Sequence, residues 1–167
     1  MINDHSNSTL IFKQIHLGGD RNFCYLIGDV KSGQAVAVDP GFDAEGFAGI
    51  AGKAQLKITN ILITHEHGDH MEQADALARL TGATIHAGAP EKVGNSLKLE
   101  DNQEFSLGDL KVTAFATPGH SPGHFCFLCE GNLITGDLLF CGKIGGTGSD
   151  FPGSSAEQQF ASLEKMM

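Results

Sequence analysis

Ile58-Thr59-Asn60-Ile61-Leu62-Ile63-Thr64-His65-Glu66-His67-Gly68-Asp69-His70 decides the reading of this chain. Its first seven residues form a β-branched, mostly apolar run of the kind found in strands buried on both faces. The run opens onto three imidazoles and a carboxylate within six residues. The i, i+2 spacing of His65 and His67 lets an extended turn aim both rings at one point. Asp69 and His70, at the start of a helix, aim at a neighbouring point. Strand ends followed by loops are where α/β proteins place their ligands. A polar turn that holds histidines by chance is a poor alternative, because the whole chain has only eight of them.

Working outward, Met71, Ala74, Leu77 and Ala78 with a stop at Gly82 predict an amphipathic helix over Met71–Leu80. A short strand follows at Thr84–His86. Upstream, strands are predicted over Leu10–Leu17, Phe23–Gly28 and Ala35–Asp39, then a glycine-weakened helix over Asp43–Ala51. Downstream come strands at Leu110–Thr117, His124–Cys129 and Asn132–Thr135. A last helix spans Ser155–Met167, with Ser154 or Ser155 as cap and Phe160, Leu163, Met166 and Met167 turned toward a core. Two of these strands also end in a potential ligand, at Thr117-Pro118-Gly119-His120 and Thr135-Gly136-Asp137. No repeat or linker interrupts residues 1–167, so one α/β domain of layered sheets and helices is expected.

The charge balance narrows the partners. Eleven basic against 20 acidic residues, with no basic run, argue against nucleic acid. No apolar run approaches the roughly 20 residues that span a bilayer, and Met1–Thr9 is polar and unlike a signal peptide. A cytoplasmic location without membrane association is the expectation, in which Cys24, Cys126, Cys129 and Cys141 are reduced thiols. Cys126 and Cys129 make a C-x-x-C inside an apolar strand, where residues three apart face opposite ways. No second C-x-x-C completes a zinc knuckle, so both read as core thiols.

The segments T-H-E-H-G-D-H (64–70), T-P-G-H-S-P-G-H (117–124) and T-G-D-L-L-F (135–140) together resemble the metallo-β-lactamase fold superfamily. Tyr25-Leu26-Ile27 and Val38-Asp39-Pro40-Gly41 match as well, and the glyoxalase II-like (hydroxyacylglutathione hydrolase) branch is the most similar. The resemblance implies a four-layer αββα sandwich, here lacking its last strand and helix. It implies a first metal held by His65, His67 and His120, and a second held by Asp69 and His70, with Asp137 bridging the two. Asp69 and Asp137 are thereby the catalytic carboxylates. Asp39 either orients a ligand histidine or caps its strand end. His124 has a structural or supporting role rather than a ligand's. His5, His16 and His86 stand outside every motif. Glu66 points away from its ligand neighbours by alternation and is not taken as a base.

Two departures from the family pattern stand out. The second metal of the family has one more histidine, in a G-H motif downstream, whereas this sequence stops at Met167 and reads as incomplete. The basic residue that follows G-x-x-G after the bridging aspartate is replaced by Gly146, which leaves Lys143 as the candidate contact for a substrate carboxylate.

The resemblance and the site chemistry together predict a hydrolase with two divalent metal ions. A water shared by two such ions has its pKa lowered toward about 7, and a metal-bound hydroxide attacks the substrate. Small thioesters such as S-2-hydroxyacylglutathione suit this, because a thiolate of pKa about 8.5 leaves without a dedicated acid. Imidazole and carboxylate ligands, with no thiolate to select zinc, are compatible with zinc, iron and manganese; zinc is the favoured expectation. The alternatives are a mononuclear-iron persulfide dioxygenase on His65, His120 and Asp137, a lactone or β-lactam hydrolase, and an inactive metal-binding fragment. The acyl group, the thiol carrier and the oligomeric state are left open.

Overall fold

The computed structural model describes residues 1–16, 18 and 22–167. Leu17, placed above at the end of a strand, lies outside the described residues. Ile2–Asp4 (β1), Leu10–Ile15 (β2), Cys24–Asp29 (β3), Gln34–Val38 (β4), Lys57–Ile63 (β5), Thr84–Ala87 (β6) and Leu97–Lys98 (β7) form one seven-stranded sheet in sequence order. The pairings are antiparallel from β1 to β4 and parallel from β4 to β7. Glu104–Leu107 (β8), Leu110–Ala116 (β9), Phe125–Cys129 (β10) and Asn132–Ile134 (β11) form a second, antiparallel sheet in the order β11-β10-β9-β8. Leu139–Phe140 (β12) and Lys143–Ile144 (β13) make a small hairpin. The helices are Ala44–Lys53 (α1), Gly68–Met71 (α2), Ala74–Thr81 (α3) and Ala156–Met166 (α4).

Two apolar cores divide the molecule into layers. On one face of the large sheet, Leu26, Ala37, Ile61 and Ile63 pack against Phe47 of α1 and Leu77 of α3. On its other face, Ile27, Val36, Val38 and Leu62 meet Val112, Ala114, Phe125 and Phe127 of the second sheet. Strand β5 therefore feeds both cores, as its unbroken apolar run requires. Leu62 is fully buried, and truncating it to alanine would cost about 2–5 kcal/mol. Helix α4 lies on the far face of the second sheet, where the Lys165 ammonium sits 5.9 Å over the Phe115 ring. The layers thus run helix, sheet, sheet, helix.

The cysteine pair behaves as strand alternation demands. Cys129 enters the core between the sheets, while Cys126 faces the other way and contacts Thr117.

Three sequence expectations need correction. The helix expected over Met71–Leu80 is two helices, because the Gln73 N–H leaves the helical ladder to bond the Pro40 carbonyl at 3.0 Å. Helix α4 buries Gln159 and Ser162, while Phe160 and Met167 are exposed. Leu163 and Met166 are half-buried, as expected, and the docking face is completed by hydrogen bonds from Gln159 and Ser162 to loop carbonyls. The short strands β1, β7, β8, β12 and β13 are additions to the expected set; two to four residues are too few for a periodic signal.

Candidate metal centre

Three strand ends converge. Strand β5 delivers Thr64, His65 and His67 and leads into α2 with Asp69 and His70, the β9–β10 connection delivers His120, and the segment after β11 delivers Asp137. Among the described residues, two groups place ligand atoms within 4.8 Å of one another: His65, His67 and His120, and His65, His70 and Asp137.

Hydrogen bonds fix which nitrogen of each ring is free. The His120 Nδ1 lies 2.7 Å from the Gly146 carbonyl, which can only accept, so Nδ1 carries the proton and Nε2 is bare. That Nε2 sits 3.1 Å from the His67 Nδ1. Two nitrogens bound to one tetrahedral zinc stand about 3.3 Å apart, close to this separation. His70 donates from Nδ1 to the Asp39 carboxylate at 2.9 Å. The Thr64 hydroxyl donates to the same carboxylate at 2.6 Å and so accepts from the His65 Nδ1 at 3.0 Å. In consequence His65 and His70 each present a buried Nε2 with no hydrogen-bond partner. Buried polar atoms are seldom left unpaired, so these two bare nitrogens, aimed into one site, fit a bound cation.

Asp137 stands between the histidines. Its Oδ1 is 3.4 Å from the His70 Nε2, and its Oδ2 is 3.5 Å from the His120 Nε2. Asp69 is placed at the rim, half exposed, with its carboxylate bonded to Asn22 and 3.9 Å from the His70 Nε2. It belongs to neither compact group.

The charges follow from this packing. Burial, reinforced by His70, His124, His67 and His120, pushes the His65 imidazole well below its usual range. Burial, then His120, also lowers His67. Burial pulls His70 down as well, but in the metal-free chain the carboxylates of Asp39 and Asp137 outweigh it and raise the ring to about 10, so a cation taking its Nε2 displaces a proton shared toward Asp137. The Asp137 carboxyl is opposed by burial and favoured by His70 and His120, and falls below the usual carboxylate range.

His124 is not among the converging donors. It is buried, bonded through Nδ1 to Thr117 at 2.9 Å, stacked on His65 with ring centroids 5.3 Å apart, and lowered by burial to about 3. Glu66 turns away, as alternation suggested, and bonds Ser121 at 2.7 Å and Lys92 at 3.1 Å. His86 is a core residue bonded to Asn60, and His5 is on the surface. Beside His70 and Asp137 opens a cleft of about 620 Å³, walled by Phe23, Tyr25, Leu139 and Phe140 and reached by Lys143. The Lys143 ammonium lies 5.3 Å over the Phe140 ring.

Sequence reasoning gave no role to Thr64, Asn22, Ser121 or Phe151, and noted Gly146 only as a departure from the family pattern. Phe151 packs 5.0 Å from the His120 ring and covers that side of the site. Thr64 and Ser121 lie inside quoted motifs without a role of their own there, and Asn22 and Phe151 lie outside every motif.

The model of the metallo-β-lactamase superfamily matches residues 17–96 and 89–167. The chain belongs to the metallo-β-lactamase superfamily. This superfamily member is 30% identical over 154 residues to the probable polyketide biosynthesis zinc-dependent hydrolase PksB of Bacillus subtilis (strain 168), covering 89% of this chain and 68% of that one. It is 35% identical over 158 residues to a hydroxyacylglutathione hydrolase of Maricaulis maris (strain MCS10), covering 90% and 59%. Among solved structures it superposes on ETHE1 from Myxococcus xanthus with a TM-score of 0.84 and 29% identity, covering 94% of this chain and 69% of that one. A di-iron-bound form of TTHA1623 matches at a TM-score of 0.75 and 26% identity, covering 92% and 84%. The chain spans between 53% and 68% of the length of the named hydrolases it matches.

Proposed function

We propose that this metallo-β-lactamase superfamily member hydrolyses small thioesters of the S-2-hydroxyacylglutathione type at a two-metal centre. The observation that carries the reading is Asp137, which turns one oxygen to His70 and the other to His120, as a carboxylate shared between two cations would. His65, His67 and His120 would hold one ion, and His70 with Asp137 the other, with Asp69 at the rim to complete it. Zinc is the proposed metal, with iron or manganese compatible with the same ligands. When bound, the ions supply an acidified water and a Lewis acid for the substrate carbonyl.

The chain's own residues prepare that chemistry. Asp39 accepts two bonds at one carboxylate oxygen, from Thr64 and from His70, and so holds the ligands of both groups in the tautomer that frees Nε2. The Gly146 carbonyl does the same for His120. The aromatic and aliphatic wall of the cleft receives the acyl or carrier chain. Lys143, which lies over Phe140 at the cleft, would meet a carboxylate of the carrier, the contact that Gly146 cannot make. A thiolate departs without a general acid, so the chain needs no Ser-His-Asp set.

A second reading, oxygenation of a persulfide at a single iron on His65, His120 and Asp137, has two points in its favour. These are the likeness to ETHE1 and the presence of His65 in both donor groups. Elemental analysis of protein purified without added metal, with thioester hydrolysis and oxygen uptake measured on the same sample, tests both. About two equivalents of zinc with thioester hydrolysis support the proposal. About one equivalent of iron with oxygen uptake on glutathione persulfide replaces it with the second reading. A chain that takes up no metal overturns both and leaves an inactive fragment.

A further inference from the structure

Helix α4 is joined to the metal centre by a side chain that no motif marks. Gln159 is fully buried, and its Nε2 donates to the Gly145 carbonyl at 2.9 Å. The next carbonyl along the chain, that of Gly146, is the acceptor for the His120 Nδ1 at 2.7 Å. The cap and first two turns of α4 grip the other side of His120. The Ser155 N–H bonds the Gly119 carbonyl at 2.8 Å, and the Ser162 hydroxyl bonds the Pro118 carbonyl at 2.6 Å.

The backbone between these contacts leaves little room. A Cβ on Gly145 would stand 1.7 Å from the Asp137 carbonyl oxygen, and one on Gly119 would stand 2.3 Å from the Gln159 Cα. Two consecutive glycines have the widest choice of conformation of any dipeptide, so the direction of the Gly146 carbonyl needs an outside hold. Gln159 is placed to supply it.

We infer that Gln159 is a positioning residue for the metal centre, fixing the Gly145–Gly146 peptide and, through the Gly146 backbone, the adjoining Gly146–Thr147 peptide whose carbonyl keeps the proton of His120 on Nδ1 and its Nε2 bare for metal. This rests on His120 being a metal ligand. Gln159 touches neither metal nor substrate, and its effect passes through two consecutive peptides and one imidazole. Its Oε1 is buried without a partner, so the amide is retained at a desolvation cost that packing alone would avoid by placing an apolar residue there.

The test uses Gln159→Met, which keeps length and helix preference and removes the donor, with Lys165→Met as control. Lys165 anchors the opposite end of α4 to Asp101 and the Ala116 carbonyl. Nitrogen NMR of the metal-free, isotope-labelled chain reads the tautomer of His120, and competition with a chromogenic chelator reads zinc affinity. In the wild-type chain the expected ring has Nδ1 protonated. In Gln159→Met the ring shifts to a mixture of tautomers and zinc binds about tenfold more weakly, the lower range for loss of a ligand's support. Lys165→Met leaves both readings at wild-type values. Gln159→Ala, with the same expected direction, serves if methionine disturbs folding.

Wild-type affinity and an unchanged His120 ring in the Gln159 variants would overturn the inference. So would the same changes in Lys165→Met, which would mark a general loosening of α4. A wild-type chain that binds no zinc would overturn the metal centre instead, and the tautomer, read without metal, would still decide for or against the hold on His120.

Discussion

The Glu66 carboxylate accepts the Ser121 hydroxyl at 2.7 Å, tying the residue between His65 and His67 to the residue after His120. Lys92 neutralises the same carboxylate at 3.1 Å, and the Glu66 side chain is only 6% exposed. Two loops far apart in sequence are thereby held in register with each other. Glu66→Ala strips partners from both Ser121 and Lys92 and is expected to cost about 1–3 kcal/mol in urea unfolding. Glu66→Gln keeps an acceptor for Ser121 and costs less. Equal losses in the two variants would mean the bond has no part in holding the loops.

Asp39 serves three donors: the Thr64 backbone N–H at 2.7 Å, the Thr64 hydroxyl at 2.6 Å and the His70 Nδ1 at 2.9 Å. Its backbone is left-handed, with φ of 51°, a conformation asparagine also tolerates. Asp39→Asn therefore keeps the turn and loses the charge and one acceptor oxygen. Metal affinity at the His70 position is expected to fall about 10–100-fold, measured by chelator competition. An unchanged affinity would return Asp39 to the role of a strand-end cap.

Glycine substitutions separate contact from conformation. Gly145→Ala drives a methyl into the Asp137 carbonyl and is expected to lose about 1–3 kcal/mol together with metal binding. Gly49 lies exposed in α1, where an added Cβ would meet nothing within 4 Å, so Gly49→Ala is expected to stabilise by about 0.5–1 kcal/mol. Thermal melting of the two variants shows opposite signs.

Alkaline conditions reach the buried thiols. Burial pushes Cys24, Cys126 and Cys129 from 9.0 up to about 11. A thiol raised in the folded chain contributes stability that is fully present below its unfolded pKa and is lost as pH rises from about 9 toward about 11. Each thiol steepens that fall by at most about 1.4 kcal/mol per pH unit. Cys126→Ala should therefore flatten the alkaline limb of a urea-midpoint profile relative to wild type. Exposed Cys141 is expected to react first with a thiol reagent, and the other three only on unfolding.

The sequence made the site legible where chemistry and chain were local. The apolar run of β5 and the imidazoles after it lie within thirteen residues, and strand ends at His120 and Asp137 repeat the same arrangement. Thr64 was not legible, because threonine is an ordinary strand residue until a carboxylate from the end of β4 is seen to bond it. The role of Gly146 is carried by a carbonyl, which every residue has. The face of α4 misled because Gln159 and Ser162 dock on backbone oxygens, a preference that hydrophobic periodicity does not record. Asp69 shows a different limit: its motif position is clear, yet Asn22 holds its side chain at the rim.

His65 stands in both donor groups, but its Nδ1 is engaged by Thr64 and only Nε2 is left to give. One lone pair serves one ion. Two ions in this centre would therefore be tenants of unequal standing: the ion on His67 and His120, if it takes His65, is enclosed by three imidazoles, and the other rests on His70, Asp137 and the rim. Stripping with a chelator should then proceed in two phases, a fast departure followed by a slow one, and the order of loss would rank the two positions.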